Sequence, residues 1–188
     1  LWCCDPVLGD VGRGIFVAPG IPEFMRDVAV PAADIVTPNQ FELEYLTGQA
    51  VSDAPSLRRA LGALHAMGPG LVLLTSLMLD DTPGDMIDMA ASTGGHVFRL
   101  RTPRLDLSVN GAGDAIAALF FVHVLRMGSA AGALANSAAS IYGLLKRTAE
   151  AGSREIREPV TSLPGREPLK GQSRRCASGW GHSMSKIS

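Results

Sequence analysis

Apolar residues follow two spacings along this chain. Short unbroken runs at residues 1–4, 33–37 and 71–75 have the length and texture of buried strands, and Pro38 stops the second. Residues 55–67 instead place Leu57, Leu61 and Leu64 on one face of an amphipathic helix. Residues 40–47 read as a helix ended by Gly48, and residues 21–28 as a shorter one. Residues 86–91 and 96–101, separated by Gly94-Gly95, predict a hairpin. Residues 115–127 and 130–146 read as two consecutive helices. Residues 5–20, punctuated by Pro6, Gly9, Gly12, Gly14, Pro19 and Gly20, read as a loop. Strands alternating with helices predict an α/β fold, a mainly parallel sheet flanked by helices, with ligands at the carboxyl ends of the strands.

The texture changes after Ile156. Residues 157–188 hold Pro, Gly, Ser, Arg and Lys without apolar periodicity, so residues 1–156 form the expected domain and 157–188 a flexible tail. Lys170 and Arg174-Arg175 in that tail read as a solvated segment rather than a nucleic-acid contact.

Composition narrows the chemistry. The 188 residues suffice for one real core, and 46% hydrophobic content is that of a folded protein. A net charge of −1 gives no global pull toward nucleic acid or an anionic membrane. No uncharged apolar run has transmembrane length, and the first ten residues lack the pattern of a signal peptide. Cys3, Cys4 and Cys176 have neither zinc-like spacing nor a disulfide framework, which fits a reducing cytoplasm. Cys3 and Cys4 read as packing residues. The only lysines are Lys146, Lys170 and Lys186, so the main body contains no Walker A motif and no candidate Schiff-base lysine. Any phosphate must be held by backbone amides, arginine or metal.

The most informative segment is Asn110-Gly111-Ala112-Gly113-Asp114, just ahead of a long apolar helix. Small residues crowd unpaired N–H groups at the positive end of the helix dipole, which suits an anion, and Asp114 puts a carboxylate in the same turn. An anion hole beside a base is what phosphoryl transfer to a hydroxyl requires. A dinucleotide fingerprint is excluded, because Ile116 stands where glycine or alanine is needed and no strand leads directly into Gly111. The alternative is a glycine-rich turn in which Asp114 is only a helix N-terminal charge.

Three further segments fall at predicted strand ends: Asp5-Pro6-Val7-Leu8-Gly9-Asp10, Thr37-Pro38-Asn39-Gln40-Phe41-Glu42, and Thr75-Ser76. They offer carboxylates for hydrated Mg²⁺ and hydroxyls for phosphate. Asn39 with Glu42 three residues on also spells a capping box, and the two roles are compatible. Thr75 and Ser76 read equally well as ordinary strand-end residues. Arg99, Arg101 and Arg104 read as solvent-facing hairpin residues, and His65 and His123 as helix residues rather than ligands.

In this order and wording the segments resemble the ribokinase-like superfamily. The run from Asp5 to Gly14 and the run Val30-Pro31-Ala32-Ala33-Asp34-Ile35-Val36-Thr37-Pro38-Asn39-Gln40-Phe41-Glu42-Leu43-Glu44 resemble the pyridoxal kinases in particular. The resemblance extends over about residues 2–156. It implies ATP-dependent phosphorylation of the 5′-hydroxymethyl group of pyridoxal or a related B6 vitamer, with Mg²⁺, in a cytoplasmic enzyme that is a homodimer at full length. It implies Asp114 as the base at the substrate hydroxyl and the N–H groups of Gly111, Ala112 and Gly113 as the anion hole. Glu42 with Asn39, and Asp5, would hold Mg²⁺, with Asp10 assisting. Asp5, Thr37, Glu42 and Thr75 would contact nucleotide, and Thr102, Pro103, Arg104 and Leu105 would lie over ATP. Hydroxymethylpyrimidine kinase, which shares the architecture, and a non-catalytic nucleotide-binding fragment remain as alternatives. The family pattern also leads us to expect a missing portion before Leu1 that carries the ring-gripping loops, so that the chain alone is inactive or nearly so.

Overall fold

A computed structural model describes residues 1–105 and 111–152. Asn110 and the boundary and tail expected from 156 onward lie outside the described residues.

A five-stranded sheet forms the centre, with β1 (Cys3–Cys4), β4 (Ile35–Val36), β5 (Leu71–Leu77), β6 (Met86–Thr93) and β7 (His96–Pro103) side by side in that order. β1, β4 and β5 pair in parallel, whereas β6 runs antiparallel to both β5 and β7. Four of the five strands therefore point the same way, as the alternating pattern predicts, and β6 alone is reversed. The ends of β1, β4, β5 and β7 consequently share one rim.

Side chains of β5 alternate between two cores, the period-2 signature of a strand buried on both faces. Val72 and Leu74 join Leu57, Leu61 and Leu64 of α4 (Ala54–Met67) and Leu43 of α3 (Gln40–Thr47) on one face. Leu73 joins Ile116 and Phe120 of α5 (Ala112–Met127) and Leu134, Ala138 and Ile141 of α6 (Ala130–Glu150) on the other. The expected helical stripe of Leu57, Leu61 and Leu64 is buried as a unit.

Both helices on the first face begin with capping boxes. Asn39 and Glu42 close that of α3, and Asp53 and Ser56 that of α4. Gly48, at φ 67°, ends α3 in the left-handed conformation that glycine adopts without strain.

Several boundaries differ from the sequence reading: β1 and β4 are shorter than their apolar runs, β5, β6 and β7 each run two residues further, and α6 continues to Glu150. α5 starts at Ala112 rather than 115, because glycine and alanine at the first two helical positions follow a left-handed Gly111 at φ 82°. The helix expected at 21–28 runs on as α1 (Ile21–Phe24), a π-helical turn (Met25–Ala29) and α2 (Val30–Ala32). The 5–20 segment is not all loop: β2 (Gly9–Asp10) and β3 (Gly14–Ile15) form a small antiparallel hairpin. Gly9-Asp10 and Gly14-Ile15 contain no apolar run of the kind that marks β1 and β4.

β5 also carries a bulge. Leu74 pairs with Ala90 and Leu77 with Asp88, so three steps on β5 match two on β6. Ser76 takes up the extra residue at φ 51°, and Leu77 returns to the face of Val72 and Leu74. Thr75 and Ser76 are thereby turned toward the rim.

Candidate active site

The rim gathers the sequence-predicted residues from four elements. Asp5 follows β1, Thr37 follows β4, Thr75 lies at the β5 bulge and Asp114 is in the first turn of α5. Together with Asp10, Asn39, Glu42, Gly111 and Gly113 they line one cleft of about 380 Å³. The Thr37 hydroxyl donates to Asp5 Oδ1 at 3.0 Å.

Glu42 is 4% exposed and is built into the wall of this cleft. Its Oε1 accepts from the Leu8 N–H at 2.9 Å and its Oε2 from the Asn39 N–H at 2.8 Å. Asn39 reciprocates: its Oδ1 accepts from the Glu42 N–H at 2.9 Å, and its Nδ2 donates to the Gly9 carbonyl at 2.8 Å. The capping box read from sequence is therefore present, and it joins α3 to the β2–β3 hairpin. Burial pushes the Glu42 carboxyl up to about 7, with the Asp5 charge adding to it, although the backbone N–H groups pull the other way. Asp5 is likewise raised, first by burial and then by the nearby Asp114, while the Thr37 hydrogen bond opposes the shift.

Gly111 is the N-cap of α5 and, lacking a side chain, places no acceptor over the first-turn N–H groups. The N-terminal turn of α5 thus borders the cleft through Gly111, Gly113 and Asp114, at the end of the helix that suits an anion. Gly111 and Gly113 line this cleft, whereas Ala112 lines its neighbour.

A second, larger cavity of about 610 Å³ adjoins the first and shares Asp10, Thr75 and Gly113 with it. Thr102, Pro103, Arg104 and Leu105 form one wall, and Ile116, Ile141 and Tyr142 of the helical layer the other. Two adjoining concave cavities lined by apolar residues with a few convergent polar groups are the usual form of a small-molecule site.

Two residues contribute in ways the sequence reading missed. Gln40 lines the larger cavity and bridges two loops, accepting from the Met78 N–H at 2.8 Å and donating to the Val51 carbonyl at 2.7 Å. Arg13 lines the smaller cleft from the turn of the hairpin. It sits in one of the quoted motif runs, but only the fold shows that it lines the same cleft as the carboxylates. Arg99 and Arg101 are not simply solvent-facing: both pair with Asp81 and Asp88. His65 has both ring nitrogens engaged, by the Pro69 carbonyl at 2.7 Å and the Ser92 hydroxyl at 2.8 Å. Cys3 and Cys4 are packing residues. Burial raises both thiols, that of Cys3 to about 11, which leaves little thiolate.

With this geometry in place, the comparisons with known proteins are decisive. The family model for phosphomethylpyrimidine kinase matches residues 2–160. The chain belongs to the phosphomethylpyrimidine kinase family. Family relatives include the pyridoxal kinase PdxY of Granulibacter bethesdensis, 56% identical over 160 residues, which are 83% of this chain and 56% of that protein. The PdxY of Deinococcus radiodurans is 53% identical over 165 residues, 83% of this chain and 54% of that protein. The chain thus spans about half the length of the curated relatives it matches. Among solved structures of the family, pyridoxal kinase from Leishmania donovani in complex with ADP and ginkgotoxin superposes with a TM-score of 0.73 at 30% identity. The match covers 86% of this chain and 56% of that one. A putative phosphomethylpyrimidine kinase from Bacteroides thetaiotaomicron, crystallised with pyridoxal, gives 0.70 at 28% identity, covering 78% and 52%. The ribokinase-like fold expected from the sequence is thereby established. No helix among the described residues is long and apolar enough to cross a membrane.

Proposed function

We propose that this chain carries the nucleotide site and catalytic base of an ATP-dependent kinase that phosphorylates the 5′-hydroxymethyl group of pyridoxal. The observation that supports this most directly is the meeting, in one cleft, of Asp114, the α5 amides and the Asp5–Thr37–Glu42 wall. In this reading Asp114 takes the proton from the attacking hydroxyl. The N–H groups of Gly111, Ala112 and Gly113 hold the charge on the transferred phosphoryl group. The adenosine portion lies in the larger cavity beside Thr102, Pro103, Arg104 and Leu105. The relatives' names favour pyridoxal, and the family model's description favours a pyrimidine. Pyridoxal, pyridoxine, pyridoxamine and hydroxymethylpyrimidine belong in one assay, with pyridoxal expected to be preferred. Free thiols at Cys3 and Cys4 support a cytoplasmic setting, and we extend to the full-length protein the homodimer expected from the family resemblance.

The donor set fits Mg²⁺. Among the described residues no group of three or more His, Cys, Asp or Glu side chains could hold a metal. One or two carboxylates, water and phosphate oxygens are, however, the ligands Mg²⁺ prefers. Asp5 and Glu42 would hold the ion, partly through water, and Asn39, whose amide is engaged at both ends, would position Glu42. When bound, the ion would neutralise phosphate charge.

Isothermal titration of the chain with Mg-ATP tests the nucleotide site, and saturable binding is expected. No binding of Mg-ATP would overturn the reading. Glu42→Gln separates the metal from the cap. The amide cannot accept at both oxygens, so one backbone N–H loses its partner, at about 1–3 kcal/mol of stability in a urea titration. Beyond that, Mg-ATP binding should weaken more than metal-free ATP binding. Equal losses with and without Mg²⁺ would leave Glu42 a cap only.

A further inference from the structure

The candidate active cleft is lined by Asp5, Asp10, Glu42 and Asp114, and a polyphosphate cannot approach such a surface without counter-charge. Among the described residues no lysine lines it: the chain's first lysine is Lys146, on α6. Among the described residues one cationic side chain lines this cleft, and it is Arg13. Arg26, Arg99 and Arg101 are paired with aspartates elsewhere, and Arg104 lines the larger cavity instead.

Arg13 is held on a defined support. It sits in the β2–β3 turn between Gly12 and Gly14, whose φ angles of 83° and 66° suit glycine, and its N–H donates to the Asp10 carbonyl at 3.2 Å. Its guanidinium carbon lies 5.3 Å from the centroid of the Phe16 ring. A cation–π contact consumes no N–H group, so the fork of donors stays available for an anion. The base of the hairpin is tied to the proposed metal-binding side chain, because Leu8 N–H donates to Glu42 and the Gly9 carbonyl accepts from Asn39. The fit there is close: a Cβ on Gly9 would come within 2.5 Å of the Phe41 ring. Arg13 is thus registered against Glu42 through its own backbone.

We infer that Arg13 is a phosphate-binding residue. Poised on Phe16, it forks to the terminal phosphates of the nucleoside triphosphate and supplies the positive charge that phosphate-binding loops elsewhere take from lysine. The inference rests on the proposed nucleotide site and adds a residue and a charge to it.

The full 188-residue chain is titrated with Mg-ATP and, by competition, with adenosine, in wild-type, Arg13→Ala, Arg13→Lys and Phe16→Leu forms. Arg13 is exposed, so its variants should melt as the wild type does. Arg13→Ala should weaken Mg-ATP on the order of 10-fold or more, the scale of a charged hydrogen bond, and leave adenosine unchanged. Arg13→Lys should keep part of the affinity. Phe16→Leu should show a smaller loss, again confined to the triphosphate. Mg-ATP binding unchanged in Arg13→Ala would overturn the inference while leaving the nucleotide site standing. Equal weakening of adenosine and Mg-ATP would also overturn it, since that marks a packing role for the hairpin. Absence of Mg-ATP binding by the wild-type chain would overturn both the site and the inference.

Discussion

Asp114→Asn is expected to lower the turnover of pyridoxal by about 10²- to 10⁴-fold, the range of general acid–base catalysis. The substitution preserves size and should leave the first turn of α5 intact, so the proposed anion hole should persist. The carboxylate is the group lost, and with it the proposed acceptor for the hydroxyl proton. The loss should therefore appear in kcat, with Mg-ATP affinity barely altered. The assay belongs in two formats, the 188-residue chain and a chimera carrying it within the full length of the Granulibacter relative. Activity in either reports the substitution, and formation of pyridoxal 5′-phosphate is followed by chromatography. Near-normal turnover would return Asp114 to the role of a helix N-terminal charge.

How much of this was legible in advance depended on element length and on how local each interaction is. α4 announced itself through Leu57, Leu61 and Leu64, and α3 through Asn39, Glu42 and Gly48, because stripes and caps are written within a few consecutive residues. β5, β6 and β7 were placed by apolar runs and Gly94-Gly95. The β2–β3 hairpin was not, since Gly9-Asp10 and Gly14-Ile15 contain no apolar run and its tie to the α3 cap, Asn39 Nδ2 to the Gly9 carbonyl, spans 30 residues. The same holds for the site. Asp5, Thr37, Glu42, Thr75 and Asp114 were found as strand-end and loop motifs, and the parallel strands bring them to one cleft. Arg13 and Gln40 escaped because their importance lies in where a turn and a loop fold back. The bulge at Ser76 escaped too, since nothing in Leu-Thr-Ser-Leu shows that three residues will match two on the neighbouring strand.

The reverse side of the sheet yields the largest stability effect. Asp88 is fully buried, opposite Arg101 in the β6–β7 register. Arg101 Nε and Nη2 donate to its two oxygens at 2.7 and 2.9 Å, and the Thr82 hydroxyl donates to Oδ2 at 2.8 Å. Burial alone would push this carboxyl up. The hydrogen bonds from Arg101 and Thr82, with the charges of Arg101 and Arg99, outweigh it and hold Asp88 below its ordinary value. Its contribution to stability is therefore present above the unfolded pKa, and it is lost as pH falls through the still lower folded value. Arg101→Met removes the fork and leaves a buried carboxylate with Thr82 and a more distant Arg99, whose Nε is 3.7 Å away. We expect a loss of about 2–3 kcal/mol at neutral pH, somewhat under the usual cost of orphaning a buried charge because Arg99 remains. The sign of the pH dependence then reverses: without Arg101, burial dominates, Asp88 titrates above its ordinary value, and protonation relieves the penalty. The gap between variant and wild type should accordingly narrow as pH is lowered from 7.5 to 4.5 in urea titrations. Adding Asp88→Asn to Arg101→Met should recover much of the loss, since the orphaned charge is gone. A gap that stays constant with pH, or a double variant no better than the single, would show that Arg101 stabilises the hairpin by packing its stem rather than by holding the buried carboxylate.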